Sequence, residues 1–370
     1  MPTLWPGTMS DLVSAIPAHL ASARTCPGRT PHDFRPPYPS YTARFDPVTT
    51  RVVMAYFGVQ WIGDNHRVAL EAVAGLRREL ARAAGSPRFD RARYLDERGY
   101  ETEIVIGYWG NDEAFNRWFT EIGSEWTAPR RHTDGVGFFV EVLHPEVRRF
   151  ETLFSAVDRL EGVARISETL SGEIREHGYW GGMRDRLPIA AESTLEPSGT
   201  PSVTHDGPRT RVHPVDNLCL IRSGQDWTDA DGEERALYLN DVEPVLRTGM
   251  DFLRDSGRPL GCFANRYMTV LADDGDPLDK TFGMSWWRSL GDLERWAESH
   301  PTHVAIFGAA LRYLSTLGPA ATLRLYHEVT VAAVDEQFFE YLGCHEETGM
   351  LASTGLQAGA ALDSEVVETS

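Results

Sequence analysis

The chain has 370 residues, 42% of them hydrophobic and 24% charged, and its formal net charge is -18. This composition is typical of a globular protein with a sizeable core, and the negative charge argues against nucleic acid or an anionic membrane surface as main partner. No window is long and apolar enough for a membrane span, and the first residues do not resemble an export signal. Four scattered cysteines without a CxxC pair exclude a zinc knuckle or covalent c-type haem site and favour a reducing cytoplasm.

Prolines are dense in residues 1–45, where they disfavour the interiors of helices and strands. We expect this segment to be a wrapped extension with at most one short helix, between Asp11 and Ala23.

Residues 46–165 alternate between strand-like and helix-like patterns. Runs of β-branched and aromatic residues predict strands, and apolar residues at helical spacing between charged ones predict helices. The predicted elements are a strand at 51–61, a helix at 65–84, a strand at 103–109, a helix from Asn111 and a strand at 135–143.

Residues 212–350 repeat this order. Gly224, in a predicted strand at 217–227, corresponds to Gly58, and this alignment puts His327 where the first half has Val140. In both halves a strand tryptophan is followed nine residues later by a helical one: Trp109 and Trp118, Trp287 and Trp296. Two copies of the unit predict two ferredoxin-like repeats whose sheets pack together.

The sequence therefore divides into an extension, two repeats, a connector and a tail. The connector, 166–211, begins with an unusual glycine- and tryptophan-containing segment and ends in a polar stretch, 193–211, that we expect to be a linker or long loop. The tail, 351–370, is small and polar, and we expect it to be partly disordered.

Three histidines of the second half are candidates for holding a metal cofactor. Pro301 should open a helix with His303 in its first turn, just before an apolar run, and His327 lies in a predicted strand at 323–331. A b-type haem needs an axial ligand and an apolar slot, which His303 meets. His300 is the rival ligand, although a residue before proline is pushed out of the helical region. Each of the three is also open to a plainer interpretation, as a satisfied core or surface imidazole.

Charged and hydroxyl side chains elsewhere could complete such a site. A haem needs cations for its propionates, and Arg184, Arg186 and Arg222 are the candidates. His327 with Glu328, Ser223, Glu151 and Arg186 gives an acid/base group, a hydroxyl and charged partners for proton delivery. Taken separately, Ser223 could begin a turn, Glu151 could cap a helix and Arg186 could be a surface charge.

Five segments together resemble the haem-containing aldoxime dehydratases, over a region from about Val52 to Met350. They are 176–186, 221–227, 248–254, 300–303 (His-Pro-Thr-His) and 323–329 (Leu-Arg-Leu-Tyr-His-Glu-Val). The resemblance implies a dimeric α+β barrel of two ferredoxin-like repeats, with antiparallel sheets and helices packed outside. It also implies one b-type haem, a homodimer, and dehydration of aldoximes (R-CH=N-OH) to nitriles.

The resemblance also assigns roles to individual residues. It implies His303 as the axial iron ligand, His327 as the distal catalytic histidine and Ser223 as the partner of the oxime hydroxyl. Glu151 and Arg186 match the distal carboxylate and arginine. Ferrous iron would bind the oxime nitrogen, while His327 acts first as general acid and then as base. A peroxidase- or dismutase-like haem enzyme and a non-catalytic haem sensor remain the alternatives.

Overall fold

A computed structural model of the protein describes residues 12–83, 88–133 and 135–354. The strands are β1 (Ala43–Arg44), β2 (Val53–Trp61), β3 (Arg88–Leu95), β4 (Glu101–Trp109), β5 (Val136–Leu143), β6 (Phe150–Phe154), β7 (Thr169–Leu170), β8 (Ser202–Asp206), β9 (Arg209–His213), β10 (Leu218–Asp226), β11 (Cys262–Leu271), β12 (Pro277–Trp287), β13 (Arg324–Ala332) and β14 (Gln337–Leu342). The α-helices are α1 (His66–Arg82), α2 (Asp112–Glu121), α3 (Gly182–Arg186), α4 (Gly232–Leu237), α5 (Glu243–Ser256), α6 (Leu290–Ser299) and α7 (Pro301–Leu317).

The two halves of the chain build sheets with the same strand order. In the first, β2, α1, β3, β4, α2 and β5 follow one another, and the strands lie side by side as β3-β4-β2-β5. In the second, β10, α4–α5, β11, β12, α6–α7 and β13 follow one another, and the strands lie as β11-β12-β10-β13. The predicted strands and helices of both halves are thereby confirmed as elements of a mixed α/β chain.

The two halves join in one 12-stranded antiparallel sheet, of order β6-β13-β10-β12-β11-β3-β4-β2-β5-β14-β9-β8. The junction is short: β11 pairs with β3 at Thr269 opposite Arg93 and at Val270 opposite Ala92. Each half also lends a strand to the other, because β6 pairs with β13 and β14 pairs with β5. In the described part of the chain the order ends at β6 and at β8, so hydrogen bonds do not close the expected barrel into a ring.

Each half of the sheet has an inner and an outer face. The inner faces of both halves contribute to one apolar cluster, which includes Tyr56 and Ile106 from the first half and Leu220 and Met284 from the second. On the outer faces, α1 and α2 cover the first half, while α5 and α6 cover the second. The prediction of helices packed outside antiparallel strands is confirmed.

Close packing explains the glycine at the same place in both halves. Gly58 lies opposite Phe139 of β5, and Gly224 lies opposite Tyr326 of β13. A Cβ atom at either glycine would collide with the opposite aromatic ring. The tryptophan pairs also correspond, because both meet at an interplanar angle of 40°, with centroid distances of 5.4 Å for Trp109 and Trp118 and 5.7 Å for Trp287 and Trp296.

The connector differs from its prediction, whereas the described part of the extension has no more than the one short helical turn that was expected. The linker or loop expected at 193–211 is wrong from residue 202 onward, since β8 and β9 form a hairpin that extends the sheet beyond β14. Gly207 makes the reversal, with a φ of 57°, and the β-branched residues on either side of it (Val203, Thr204, Thr210 and Val212) suit strands. The described part of the extension, 12–45, has one 3₁₀ turn, at Ala18–Leu20, and the two-residue strand β1, which pairs with β7. Asp11 and the tail beyond residue 354 lie outside the described residues.

Candidate active site

Three neighbouring strands place the polar candidates on one face of the sheet. Ser223 on β10 lies directly opposite His327 on β13, and Glu151 on β6 lies opposite Val329 on β13. Residues two apart on a strand share a face, so Glu151, His327 and Ser223 all point to the side covered by the helices. Val329 belongs to the apolar cluster on that outer side. Glu151 is therefore a strand residue and not a helix cap.

Arg186, at the end of α3, completes a cluster with Glu151 and His327. Its Nε donates to Glu151 Oε2 at 2.7 Å, and its Nη2 donates to Oε1 at 3.0 Å. His327 Nε2 lies 2.9 Å from Glu151 Oε1 and 2.9 Å from Arg186 Nη2. Glu151 and Arg186 are each only 4% exposed, so the ion pair lies almost entirely out of water. The structure thus brings together three of the predicted catalytic side chains, and Ser223 stands beside them.

Glu151 stays ionised in this cluster. Burial by itself raises the pKa of Glu151, but the charges and hydrogen bonds of Arg186 and His327 outweigh burial and hold that pKa below its ordinary value. A carboxylate that remains charged at neutral pH can fix one N–H of the neighbouring imidazole and stabilise a positive charge on the ring.

His303 lies in the first turn of α7, as the sequence predicted. Pro301 is the first helical residue, and His303 Nδ1 lies 2.7 Å from the carbonyl oxygen of Ala297. Because a carbonyl oxygen only accepts, the ring carries its proton on Nδ1 and keeps a free lone pair on Nε2. Burial also lowers the pKa of His303, although the bond to Ala297 opposes this shift. A neutral imidazole with an anchored Nδ1 is the form that binds a metal ion.

His300 has a structural task instead. It is the N-cap of α7, in an extended conformation, and its Nδ1 accepts from the backbone N–H of Thr302 and lies 2.9 Å from the Thr302 hydroxyl. Its ring stacks on Phe252 with centroids 4.4 Å apart. The rival ligand is thus occupied in capping the helix that carries His303.

The segment 176–186 links the surroundings of the two histidines. Trp180 packs edge-on against His303, with ring centroids 5.8 Å apart, and contacts Phe307 at 5.2 Å. Six residues later, Arg186 reaches Glu151 and His327. The intervening helix α3 has only 5 residues, a length of about 7.5 Å. His303 and His327 therefore border the same region between the outer face of the sheet and α7.

The chemistry of this region fits a haem. His303 offers a neutral Nε2 lone pair, and Ile306, one turn further along α7, is only partly buried. Ile221, which shares a face with Ser223, is partly buried as well, and both isoleucines pack against the outer apolar cluster. A metal ligand beside apolar side chains that are not fully covered is what a flat apolar cofactor requires.

Arg222 and Arg184, the other two arginines predicted to bind haem propionates, are already paired with carboxylates in the structure. Arg222 faces the inside, since neighbouring residues on a strand point to opposite faces and Ser223 faces outward. It is fully buried and paired with Asp90 at 2.9 Å. Arg184 is already paired with Glu294, its Nη2 donating at 2.7 Å. The expectation that Arg222 binds a propionate is wrong for this geometry, and Arg184 would have to exchange its partner.

Two residues of the connector escaped the sequence prediction. Asp185 is 3% exposed and accepts hydrogen bonds from the N-terminal extension. His177 is 1% exposed, and within the described residues neither of its ring nitrogens has a hydrogen-bond partner. Burial and the nearby charge of Arg186 lower the pKa of His177 to about 4. The one available signal was their position inside the matched segment 176–186.

A family model for haem-containing dehydratases matches residues 55–350. The chain therefore belongs to the haem-containing dehydratase family. It is 44% identical over 345 residues to an aliphatic aldoxime dehydratase of Pseudomonas chlororaphis, a match that covers 91% of this chain and 97% of that protein. It is also 42% identical over 352 residues to an aliphatic aldoxime dehydratase of Rhodococcus globerulus, covering 93% and 99%.

A solved structure of an aldoxime dehydratase in complex with butyraldoxime has the same fold. The two sequences are 42% identical, and the two structures superpose with a TM-score of 0.87. The match covers 92% of this chain and 96% of that one. Among the described residues, no helix has the length and apolar character to cross a membrane.

Proposed function

We propose that the protein is an aldoxime dehydratase that converts aldoximes to nitriles and water. The observation that carries this proposal is the buried contact of His327 with Glu151 and Arg186, on the strand directly beside Ser223. An imidazole held by a fixed carboxylate, with a hydroxyl on the residue opposite it in the next strand, suits a reaction that must first give and then take a proton.

The cofactor of the proposed site is a b-type haem held by Nε2 of His303. His303 would hold this haem, and its ferrous iron would supply a centre able to bind a neutral nitrogen such as that of the oxime. The anchored Nδ1 of His303 keeps the ring orientation fixed, and the lowered pKa keeps the imidazole available as a ligand at neutral pH.

The first step we assign to this chain is protonation of the leaving hydroxyl. Hydroxide leaves poorly, whereas a protonated oxygen departs as water when the N–O bond breaks. His327 in its charged form donates Nε2–H to Glu151 and gives its second ring proton to the oxime oxygen. Ser223, opposite His327 in the strand register, orients that oxygen through its hydroxyl.

The second step is removal of the proton from the aldehydic carbon. After the first transfer the imidazole is neutral, and the ring nitrogen that gave the proton now has a lone pair. It accepts the C–H proton as the carbon–nitrogen triple bond forms. The protons balance, because the ring ends in the charged state in which it began.

Glu151 and Arg186 act through His327. The charge of Glu151 stabilises the charged imidazole and fixes its orientation, while the two hydrogen bonds from Arg186 hold the carboxylate in place. Without Arg186, burial would raise the pKa of Glu151, and a protonated Glu151 would lose its hold on the ring.

The test is nitrile formation by the purified haem protein, reduced with dithionite under anaerobic conditions and supplied with butyraldoxime. Ser223→Ala should lower kcat by about 10² or more if its hydrogen bond matters mainly in the transition state. Ser315→Ala, an exposed serine of α7, serves as the matched control and should leave kcat unchanged. Peroxide turnover without nitrile would favour the peroxidase-like alternative, and haem binding without turnover would favour the sensor.

We further propose that the two halves are ferredoxin-like repeats, at 46–165 and 212–350, which form an α+β barrel in a homodimer. Their shared β-α-β-β-α-β order and strand order support this assignment, with 1–45 as an extension, 166–211 as a connector and 351–370 as a tail. We assign the protein to the cytoplasm, in keeping with its four cysteines, which are unpaired. Light scattering tests the dimer, since a mass of 41.3 kDa would mean a monomer.

A further inference from the structure

The N-terminal extension lies across the segment that carries Trp180 and Arg186. Near its start, Val13 forms a bridge with Ile174, and the backbone N–H of Ala15 donates to Glu176 Oε2 at 2.8 Å. Further along, residues 24–30 contact Asp185. Two separate stretches of the extension thus hold the two ends of the segment 176–186.

Most of these hydrogen bonds are accepted by the carboxylate of Asp185. Both of its carboxylate oxygens lie 2.9 Å from the backbone N–H of Arg29, and Oδ2 also accepts from the hydroxyl of Thr30 at 2.9 Å and of Tyr179 at 2.8 Å. Arg24 adds a longer contact at 3.4 Å. At 3% exposure the carboxylate is withdrawn from water, so these donors and not solvent satisfy it.

The other end of the segment is tied to Arg186 directly. Arg186 Nη1 donates to the backbone carbonyl of Glu176 at 2.7 Å, while the side chain of Glu176 is held by Ala15 and Ser14. The extension thus holds Glu176, and the carbonyl of Glu176 in turn holds the guanidinium of Arg186 that contacts Glu151 and His327.

The segment needs such anchors because its backbone is intrinsically flexible. Gly178 and Gly181 have φ values of 78° and 92°, a region that glycine enters freely and other residues rarely adopt. Glycine has many conformations to lose, so a glycine-rich stretch stays in one of them only when other contacts hold it. The helix that follows, α3, is a single short turn and cannot by itself fix the position of Arg186.

We propose that Asp185 is a positioning residue, through which residues 24–30 of the extension hold Arg186 against Glu151 and His327. This inference rests on the proposed function, because it assumes that Arg186 and Glu151 orient the catalytic imidazole. Among the described residues, the side-chain hydrogen bonds of Asp185 go to Arg24, Arg29, Thr30 and Tyr179, and none goes to His327. Its influence on turnover is therefore indirect and passes through Arg186.

The experiment compares Asp185→Ala with Asp185→Asn in the full-length, haem-loaded protein. Alanine removes every acceptor, so kcat should fall by roughly 10- to 100-fold with KM nearly unchanged, the effect of a catalytic group displaced by about 1 Å. Asparagine keeps an acceptor for the N–H of Arg29, and its amide can donate to the Thr30 and Tyr179 hydroxyls, which reverse their roles. It should therefore restore most of the rate.

A second pair of variants tests whether the effect passes through Arg186. Arg186→Lys should itself lower kcat, because lysine cannot form the paired bonds to Glu151. When Arg186→Lys is already present, Asp185→Ala should lower kcat little further. The matched control is Asp96→Ala, which also removes a carboxylate that accepts from backbone N–H groups, those of Arg98 and Tyr100, and from a distant side chain, His345. It should lower the melting temperature but leave kcat unchanged.

The inference is overturned if Asp185→Ala keeps wild-type kcat while Arg186→Lys loses activity. It is also overturned if Asp185→Asn is as slow as Asp185→Ala, since the charge and not the hydrogen bonds would then matter. A third contradicting result is a double variant whose loss in kcat equals the product of the two single losses, since the two residues would then act independently. If Arg186→Lys has full activity, the proposed role of Arg186 fails instead. Melting temperature and haem content, measured on every variant, separate these results from misfolding.

Discussion

Replacing His177 by glutamine should make the stability of the protein less dependent on pH. His177 is buried beside Arg186 and has no hydrogen-bond partner for its ring within the described residues. Burial first, and the charge of Arg186 second, lower its pKa from 6.5 to about 4. The unfolded chain binds a proton at this site below about pH 6.5, whereas the folded protein resists it until about pH 4, so acid favours unfolding across this window.

The size of the effect follows from the shift. One pKa unit corresponds to about 1.4 kcal/mol, so lowering the pH from about 8 to about 5 should remove roughly 2 kcal/mol of unfolding free energy through His177 alone. Stability from this group is complete above pH 6.5 and falls as the pH drops toward 4. His177→Gln cannot take up a proton, so this part of the pH dependence should disappear whatever the variant's stability at pH 8.

The assay is urea unfolding of the haem-loaded protein at both pH values, followed by far-ultraviolet circular dichroism. For each protein we compare the difference in unfolding free energy between the two pH values. A loss of packing in the variant lowers its stability equally at both pH values and therefore cancels from this difference. His205→Gln, on an exposed face of β8, should keep the parent's pH dependence. If His177→Gln and the parent lose the same free energy between pH 8 and pH 5, the buried neutral imidazole is refuted.

Four further substitutions test other parts of the structure. His303→Ala should abolish the Soret band of the purified protein, whereas His300→Ala should keep haem, because its ring caps a helix; haem retained by the first variant would remove the axial assignment. Glu151→Gln should lower kcat by about 10² and destabilise the fold by about 3–5 kcal/mol, since it leaves Arg186 buried without its countercharge; unchanged kinetics and melting would contradict this. Gly224→Ala should cost about 1–3 kcal/mol through collision with the facing tyrosine ring, and an unchanged melting curve would disprove that contact.

Two of the three strands of the candidate site, β10 and β13, were predicted from their apolar and β-branched residues. The third, β6, was not predicted, and Glu151 was instead considered as a helix cap. Strand β3 was also missed, because it contains Arg91 and Arg93, and two nearby arginines do not indicate a buried strand when only the sequence is considered. In the structure both arginines pair across the sheet with Glu103 on β4, so their charges are satisfied inside the fold. A pairing between strands is invisible until the register is known, and this is why β3 escaped prediction.

The expectation for Arg222 was based on its charge alone and took no account of which face of the strand it occupies. Strand alternation alone would have placed Arg222 and Ser223 on opposite faces, and the buried partner of Arg222, Asp90, comes from the other half of the chain. Asp185 escaped for a different reason. Its partner Thr30 is 155 residues away, and no local pattern marks a carboxylate whose hydrogen-bond donors come from a distant extension.

The grouping of Glu151, Arg186 and His327 also spans distant parts of the chain, since His327 and Glu151 are 176 residues apart. Residue types alone left each of the three open to a plainer interpretation, and it was the family resemblance that selected them. The structure adds their contacts and burial. Their catalytic roles, together with those of Ser223 and His303, stay predictions that kinetics must test.

The measurement that tests the central claim most directly is the behaviour of His327→Ala with butyraldoxime in the ferrous state. Both parent and variant should show a haem spectrum that shifts when the oxime is added, because in the proposed site His303, and not His327, holds the cofactor. The parent should then form nitrile, and the variant should lose at least about 10² of that rate, the usual contribution of a general acid and base. A variant that binds oxime and forms nitrile at the parent's rate would show that His327 does not move the proton.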